Sequence, residues 1–592
     1  MRFNILNKHF IKYIFINKII KIINMKYLFL ILIASCSLLG IAQNTLPADI
    51  DKSIQDRITN GHSPSIVVGI IDKNGPQYYL YGTKTIGGEA VDEHSIYEIG
   101  SISKTFTGIL LAQMVLNKKL NLEDPAQNYL PDVVKLPVRN GQQITIGQLS
   151  DHTSALPRMP SNFSPADPAN PYADYSIEQL YAFLNNYKLS REIGSSYEYS
   201  NLAQGLLGQI LSIKSGKLFE ELMIQNIAKP LRMKETKISL DPNMKKHLAI
   251  GHSQGVPVAN WDLPTLAGAG AIRSSLHDML IYIGTNAGIL KSKLYPAMQL
   301  SHTARHAKAD NGTRVGLAWH IFEGAEGDVI AHSGGTGGYR TFAGFNVQTG
   351  KGVVVLTNSD RGADDIGFHL LNSASKLITV KKSAVMEINK INFSHGPEAA
   401  WQAYEEIKKN ESTNYEFNED EINSLGYSML NKNNIKAALI FFKINLHEYP
   451  NSSNVYDSYA EALMKDGQRQ DAIENYQKSL ELNPGNNNAI DMLNKMGVKQ
   501  EVMLITVDST VLASYVGNYA LAPTFTISIT QEGNQIFAQA TGQSRFELFA
   551  KSSAVFYLKA IDAQIHFTVV NGKAEALTLH QGGRMMSGKR MD

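Results

Sequence analysis

Cysteine is almost absent from this sequence. Among 592 residues there is one cysteine, Cys36, so no disulfide can form within one chain and no metal site built from several cysteines is available. The sequence also lacks the His-Glu-x-x-His spacing that zinc hydrolases use. We therefore expect neither a metal nor another cofactor.

An excess of one charge is lacking as well. The chain has 56 basic and 54 acidic residues, which gives a net charge of +2, and 43% of its residues are hydrophobic. Proteins that bind nucleic acids usually carry a clear basic surplus, so no nucleic-acid partner is expected. The length is sufficient for three or four globular domains with ample material for their cores.

Residues 1–42 are predicted to be a leader. Within it, Met25–Gln43 combines a basic start, an apolar run and small residues, which is typical of a secretory signal cleaved after Ala42. We expect translation to start at Met25 and the protein to be exported, to the periplasm or beyond. A lipid anchor at Cys36 is the less favoured alternative, because apolar residues follow the cysteine.

The stretch Tyr97–Lys104 (YEIGSISK) is typical of a sharp turn that enters a helix. Gly100 ends the extended approach, and from Ile102 onward apolar residues recur at helical spacing, which predicts an amphipathic helix. Ser101 would lie at the helix N-terminus, where free N–H groups favour negative charge. Lys104 follows one turn later on the same face, and a half-buried lysine can lose its proton and accept that of the hydroxyl. Ser101 is thus the predicted nucleophile.

The pattern Ser-x-x-Lys is common by itself, and its second copy, Ser373–Lys376, is interpreted as an ordinary amphipathic helix. With its flanking residues, however, Tyr97–Lys104 resembles the active-site signature of class C β-lactamases and of related penicillin-binding proteins, D-stereospecific peptidases and esterases. The resemblance implies an α/β (α+β) fold, in which helices flank a mainly antiparallel sheet, for residues 43–380.

Two further elements follow in the order of that family. Tyr199 lies 98 residues after Ser101. The resemblance implies that it is the third catalytic residue, a phenol whose anionic form is favoured near Lys104⁺ and which activates water. Asn201 would donate to the substrate amide oxygen or hold Lys104 in place. His152 is interpreted as a hydrogen-bonded residue of the scaffold.

The third element begins at His332, which lies 133 residues after Tyr199. His332, Ser333, Gly334 and Gly335 are predicted to bind substrate, and the N–H of Gly335 would form an oxyanion hole with that of Ser101. Class C β-lactamases usually carry lysine where this chain has His332. A neutral imidazole attracts a substrate carboxylate less, and histidine here is closer to esterase and D-aminopeptidase relatives.

The resemblance implies a serine hydrolase that works through an acyl-enzyme on a small-molecule substrate. A β-lactam is the first expected substrate, and a D-amino-acid peptide or a small ester is the alternative. The rival from another class is a non-catalytic receptor for cell-wall fragments. The presence of Ser101, Lys104 and Tyr199 together argues against it, because a pure binder needs no such set.

Two more domains are predicted downstream. Residues 381–500 are expected to form a linker and helices resembling tetratricopeptide repeats, since two 34-residue units align, Gly426 with Ala460 for example. A rigid spacer and a groove for a protein partner are both open for this segment. Residues 501–592 alternate with period two, which predicts a small all-β accessory domain. Its expected strands are Phe525–Thr530, Ile536–Ala540, Phe546–Phe549, Phe556–Lys559, Ile565–Val569 and Ala576–Leu579.

Overall fold

The computed structural model describes residues 45–591 except 306–311, 411–414, 499–505, 523–524, 542, 544, 559–562, 571 and 582–583. The predicted leader, with its signal peptide and Cys36, lies outside the described residues. Among those that are described, no helix is both long enough and apolar enough to span a membrane.

The first part of the chain contains a seven-stranded sheet in which all neighbours are antiparallel. The strands of this part are β1 (Ser65–Asp72), β2 (Gly75–Gly82), β3 (Ile96–Glu98), β4 (His252–Ser253), β5 (Val256–Pro257), β6 (Arg273–Ser275), β7 (Arg314–Val315), β8 (His320–Phe322), β9 (Val329–Gly335), β10 (Arg340–Asn346) and β11 (Lys351–Thr357). The strand order of the sheet is β2-β1-β11-β10-β9-β8-β7, while β3 pairs with β6 and β4 with β5. The predicted antiparallel sheet is therefore confirmed.

Helices pack against this sheet. They are α1 (Ala48–Thr59), α2 (Ser103–Leu116), α3 (Ile146–Ser150), α4 (Ile177–Asn186), α5 (Asn201–Ser215), α6 (Phe219–Met223), α7 (Lys229–Leu231), α8 (Pro242–Lys246), α9 (Ala267–Gly270), α10 (Leu276–Asn286), α11 (Tyr295–His302) and α12 (Asp364–Leu371). A π-helical turn, Ile224–Ala228, joins α6 to α7. Between α1 and α12 the chain builds one large apolar core around α2.

Two sequence-based predictions about helices are wrong here. Helix α2 is not amphipathic, because it is enclosed on all sides and buries polar residues such as Lys104 and Thr107 beside its apolar ones. Ser373–Lys376 is not helical, because α12 ends at Leu371 and a turn follows. A helical period identifies buried faces only where a helix also has an exposed face.

The next segment is mostly helical. Its elements are β12 (Lys382–Ser383), α13 (Ala384–His395), α14 (Pro397–Asn410), β13 (Tyr415–Glu416), α15 (Glu419–Asn431), α16 (Ile435–Glu448), α17 (Ser453–Lys465), α18 (Arg469–Leu482) and α19 (Asn487–Lys495). Strands β12 and β13 pair in parallel, so the segment is not purely α-helical. Helices α15 and α17 begin 34 residues apart, at Glu419 and Ser453. The assignment to tetratricopeptide repeats remains a prediction.

The C-terminal part is a short helix followed by a closed eight-stranded barrel. Its elements are α20 (Ser509–Tyr515), β14 (Gly517–Ala522), β15 (Phe525–Glu532), β16 (Gln535–Ala540), β17 (Arg545–Ala550), β18 (Val555–Leu558), β19 (Ala563–Val570), β20 (Lys573–Gln581) and β21 (Arg584–Arg590). The predicted strands are present, although Lys559 lies outside the described residues, and β14 and β21 were not predicted. The boundaries between the domains stay predictions.

Candidate active site

Ser101 lies in a short 3-10 turn, Gly100–Ile102, directly before α2. Gly100 has a φ of 52°, and a Cβ on it would lie 2.6 Å from the backbone nitrogen of Gly335 on β9. A Cβ on Gly334 would lie 2.0 Å from the carbonyl oxygen of Ile99. The glycines therefore allow β9 to pack directly against the turn that carries Ser101.

Lys104 is completely buried on the first turn of α2. Its Nζ lies 2.9 Å from the Ser101 Oγ and donates to the carbonyl oxygen of Ala269 on α9 at 2.6 Å. Burial, together with the positive charge of Arg158, lowers the pKa of Lys104 well below its usual value of 10.5. Lys104 is thus a buried amine that loses its proton more readily than an ordinary lysine, and it lies in contact with the Ser101 hydroxyl.

Tyr199 approaches the same hydroxyl from the segment before α5. Its phenol is hydrogen-bonded with Ser101, and the Lys104 Nζ lies 4.9 Å from the centre of its ring. Burial raises the pKa of Tyr199 to about 12. The expectation of a favoured phenolate is therefore wrong, because burial outweighs the Ser101 hydrogen bond and the positive charge of Arg158, which both favour the anion. Tyr199 is a protonated phenol at neutral pH.

His152 packs against the ring of Tyr199. Its ring stacks on that of Tyr199 with centroids 4.6 Å apart, and its Nδ1 accepts a hydrogen bond from the Ser200 N–H at 3.1 Å. Burial lowers the pKa of His152 well below its usual value. A neutral, enclosed imidazole in this place fits the predicted scaffold role.

His332 lies on β9 and is only 3% exposed. Its Nδ1 donates to the carbonyl oxygen of Ser333 at 2.6 Å, and its ring centre is 5.0 Å from that of His320 on β8. Burial lowers the pKa of His332 well below 6.5, and it lowers the pKa of His320 to about 4. Both imidazoles are therefore neutral near physiological pH.

A cavity of about 380 Å³ opens beside these residues. Tyr199, His332 and Ser333 line it, so three of the predicted site residues face one space. The Ser333 hydroxyl is hydrogen-bonded to the Asp364 carboxyl, whose pKa is raised by burial. Ser333 is therefore held by a partner behind the cavity wall.

Asn201 is the first residue of α5, which Ser200 caps by accepting the Ala203 N–H at 2.9 Å. The Asn201 amide does not take the predicted position on Lys104. It lies 3.8 Å from the Met159 sulfur and is hydrogen-bonded to the Tyr172 hydroxyl. Its contacts place it on the side of the site next to residues 159–172.

Arg158 is a site residue that the sequence did not reveal. Its guanidinium carbon lies 5.0 Å from the centre of the Tyr199 ring, and the side chain lines the cavity with His320 and His332. Among the described residues of this lining it is the one that carries a full positive charge. No sequence motif marks Arg158; the signal in the sequence was a basic residue directly after Pro157.

The described part of the chain contains no cluster of side chains suited to bind a metal ion. No group of three or more His, Cys, Asp or Glu side chains is arranged there to hold an ion. The chemistry that the described site offers is therefore that of a hydroxyl, an amine, a phenol and backbone N–H groups.

Comparison with known proteins identifies the family. Residues 50–374, more than half of the chain, match the family described as Beta-lactamase. The chain belongs to the beta-lactamase family. Residues 503–590, which include the barrel strands of the beta-lactamase-family chain, match a domain of unknown function, DUF3471.

Curated relatives cover the same half. The chain is 28% identical over 337 residues to the D-alanyl-D-alanine-carboxypeptidase/endopeptidase AmpH of Escherichia coli (strain K12), which is 54% of this chain and 86% of that protein. It is 25% identical over 346 residues to a beta-lactamase of Pseudomonas fluorescens, 52% of this chain and 93% of that protein. It is 26% identical over 329 residues to Protein flp of Staphylococcus aureus (strain N315), 53% of this chain and 64% of that protein. Family membership makes this chain a serine hydrolase of the beta-lactamase type.

Proposed function

We propose that this protein hydrolyses an amide or ester bond through an acyl-enzyme on Ser101. The observation that carries the proposal is the 2.9 Å contact between the Ser101 Oγ and the Nζ of the buried Lys104, whose pKa lies well below its usual value. A serine hydroxyl is a weak nucleophile unless a base removes its proton, and a desolvated lysine is such a base. A lysine with a purely structural role would not have to lie in contact with an accessible serine hydroxyl.

Acylation follows from these positions. Lys104 takes the Ser101 proton as the Oγ attacks the substrate carbonyl carbon. The N–H groups of Ser101 and Gly335 stabilise the negative oxygen of the tetrahedral intermediate. The bond to the leaving nitrogen or oxygen then breaks, and that atom receives a proton from the Tyr199 phenol, which regains one from the Lys104 ammonium.

Deacylation reverses these roles. A water molecule loses a proton to Lys104 while its oxygen attacks the acyl carbon, either directly or through the Tyr199 phenol, which passes its own proton to Lys104 as it accepts that of the water. The Ser101 Oγ then departs with a proton returned by Lys104. His152 keeps the Tyr199 ring in place during both steps, since it stacks on it. Because Tyr199 is a protonated phenol at rest, it acts as a proton relay and not as a standing phenolate.

The proposed substrate is an acyl compound that bears a carboxylate, with a β-lactam first and a D-amino-acid peptide second. Arg158 favours an anion in the cavity, where the neutral His332 offers no charge. The D-peptide is favoured by this same histidine, because class C β-lactamases usually have lysine there. A small neutral ester would need no positive charge at either Arg158 or His332. Outside the site, we propose export on the basis of the Met25–Gln43 pattern.

Covalent trapping tests the proposal. The wild type and Ser101→Ala are incubated with a fluorescent penicillin, and the intact mass of each is measured. We expect one penicilloyl adduct on the wild type and none on Ser101→Ala. No adduct and no turnover of penicillins, D-alanyl peptides or aryl esters by the wild type would favour the non-catalytic receptor instead.

The lifetime of the adduct separates the two substrate classes. An adduct that disappears within the assay with release of penicilloate indicates a β-lactamase. A persistent adduct combined with turnover of a D-alanyl-D-alanine peptide indicates a peptidase. A folding control comes from the melting temperature of Ser101→Ala, which we expect to match that of the wild type because the substitution removes one partly exposed oxygen.

A further inference from the structure

A second and larger cavity lies between the hydrolase part and the helical segment. It has a volume of about 840 Å³, against about 380 Å³ for the cavity at His332. One wall comes from the β4–β5 hairpin and the loop that follows it to Trp261, and the other comes from α13 and α15. We call it the inter-domain cleft. Its volume is within the range of ligand sites, which often occur where domains meet.

The inter-domain cleft adjoins the candidate active site. Gly337, in its wall, follows Gly335 by two residues, and a Cβ on Gly337 would lie 2.7 Å from the Trp261 Nε1. The Trp261 ring is 5.3 Å from the ring of Tyr172, which is hydrogen-bonded to Asn201. One continuous wall therefore runs from the cleft to the residues beside Ser101.

The walls of the cleft are fixed to each other. The Asn389 Nδ2 on α13 donates to the carbonyl oxygen of Gln254 at 2.9 Å, which ties the hairpin tip to the helical segment. On α15, an ion pair joins Glu421 to Arg361 of the hydrolase part. The Tyr427 hydroxyl donates to Glu461 at 3.1 Å and so orients its ring. The cleft is thus a built space with held side chains.

Neutral hydrogen-bonding groups dominate the polar part of the lining. Asp167 and Lys432 are the charged residues among its described members, while amides and serine hydroxyls are numerous. The Ser424 hydroxyl and the Asn431 amide belong to exposed residues of this lining and can both donate and accept. The cleft therefore favours an uncharged occupant that carries hydrogen-bonding groups of its own.

Two aromatic side chains complete this surface, Trp261 on one wall and Tyr427 on the other. Aromatic faces pack against the C–H faces of sugar rings, while amides and hydroxyls bind the sugar hydroxyls at the rim. Among the described lining residues the charges of Asp167 and Lys432 cancel, so the lining has no surplus of one sign that would favour an acidic or a basic ligand. Uncharged saccharide matches both the aromatic and the amide components.

We propose that the inter-domain cleft binds an uncharged oligosaccharide, which is the part of the substrate that extends from the acyl group cleaved at Ser101. The second half of this proposal rests on the proposed function; the binding itself does not. It gives the helical segment a role in substrate binding, because Asn423, Tyr427 and Asn431 of α15 supply one wall.

Tryptophan fluorescence tests the binding. The full chain carrying Ser101→Ala is titrated with the uncharged tetrasaccharides of β-linked N-acetylglucosamine and β-linked glucose. We expect a saturable change in emission with at least one of them. The change should disappear in Trp261→Phe and persist in Trp401→Phe, since Trp401 lies on α14 outside the cleft and Trp319 is fully buried in the hydrolase core.

Substitutions on α15 locate the site. We expect the double variant Asn423→Ala/Asn431→Ala to raise Kd at least tenfold, while Lys436→Ala, an exposed change on α16, leaves Kd unchanged. Alanine is favourable in a helix, so the fold should survive both. Absence of saturable binding, equal binding by the double variant, or tighter binding of the uncharged peptide N-acetyl-tetraalanine amide would each overturn the proposal.

The two proposals fail in different ways. If fluorescent penicillin labels the wild type and no tetrasaccharide binds, the saccharide proposal alone is wrong. If a tetrasaccharide binds through α15 and no penicillin, peptide or ester reacts, the acyl-hydrolase proposal is wrong and binding in the cleft stands. Labelling and titration therefore test the two proposals separately.

Discussion

Lys104 combines a polar function with a fully apolar setting. Its amine is enclosed by the core around α2 and keeps two polar contacts, with the Ser101 hydroxyl and the Ala269 carbonyl. An ordinary lysine would be protonated and useless as a base at neutral pH. Burial lowers the pKa of Lys104, so the same feature that costs folding free energy creates the chemical function.

The pH dependence of acylation should report Lys104. Because its pKa is lowered, the neutral amine exists above that pKa and is lost as the pH falls through it. We expect kcat/KM to rise with pH along a limb that lies well below 10.5, the usual lysine value. Stopped-flow measurement of acylation by a chromogenic β-lactam checks this.

The variant Lys104→Arg is the control for that assignment. Arginine stays protonated and cannot act as a base, so we expect acylation to fall by about 10²–10⁴-fold at every pH. A profile whose limb stays in place with only a small drop in rate would show that another group is the base.

Arg158 should select anions. We expect Arg158→Gln to raise KM about tenfold for a carboxylate-bearing β-lactam, which corresponds to about 1.4 kcal/mol, and to leave KM for a neutral aryl ester unchanged. The reason is that Arg158 carries the full positive charge of the described cavity lining, with His320 and His332 neutral. Steady-state kinetics on both substrates measures the difference.

Arg191→Gln is the matched control for this prediction, since Arg191 forms an ion pair with Glu198 away from the cavity lining. We expect it to alter neither KM. Equal effects of Arg158→Gln on the charged and the neutral substrate would mean that Arg158 supports Tyr199 sterically and does not bind anions.

At the scale of elements, a buried ion pair connects the nucleophile segment to the opposite strand. Glu98 on β3 pairs with Arg273 on β6 at 3.1 Å, and both side chains are about 5% exposed or less. Glu98 also accepts the Asn260 side-chain amide and the Trp261 N–H. Arg273 is buried because β3 and β6 enclose it.

Breaking this pair should be costly. We expect Glu98→Ala to lower the free energy of unfolding by about 3–5 kcal/mol, because the Arg273 charge stays buried with reduced compensation. The exposed pair of Lys52 and Asp56 is the control, and Lys52→Ala should cost at most about 1 kcal/mol. Urea denaturation of both variants measures the difference; similar losses would contradict the prediction.

Local pattern was enough for several elements. The β-branched run Ser65–Asp72 forms the buried strand β1, as such a run favours, and alternation gave most of the barrel strands. Ser101, Lys104 and Tyr199 were predicted as one site from their flanks, and the structure brings them into contact. What local pattern could not give was the enclosure of α2, because burial depends on elements far away in sequence.

The same limit explains the errors at the site. The protonation states of Lys104 and Tyr199 follow from desolvation by distant segments, which no short motif encodes. Arg158 was missed because it is defined by the cavity that it lines. Asn201 was assigned by resemblance, while its actual neighbours, Met159 and Tyr172, come from a loop without a recognisable pattern.

At the scale of the whole molecule, the barrel is attached to the end of α18. The carbonyl oxygen of Leu482 accepts hydrogen bonds from Lys551 at 2.6 Å and from Gln564 at 2.8 Å. A Cβ on Gly485 would lie 2.3 Å from the Tyr557 ring. The contact thus depends on a glycine that lets the barrel approach the helical segment.

We expect Gly485→Val to loosen the barrel without affecting the distant hydrolase site. Limited proteolysis should release the C-terminal part several times faster than in the wild type, while turnover of a small substrate is unchanged. Gly362→Val is the control, because a Cβ at Gly362 meets no atom within 4 Å. Unchanged proteolysis of Gly485→Val would show that the barrel is held by other contacts.

The order of strands in the sheet has a consequence for biosynthesis. Ile66 on β1 pairs with Thr357 on β11, so the strand made first finds its central partner only after nearly three hundred further residues have been added. Until then the ribosome-bound chain exposes an incomplete sheet whose edge has unpaired backbone N–H and C=O groups. A nascent chain of this kind cannot complete its sheet until β11 has been made, so its unpaired strands are exposed to aggregation during synthesis.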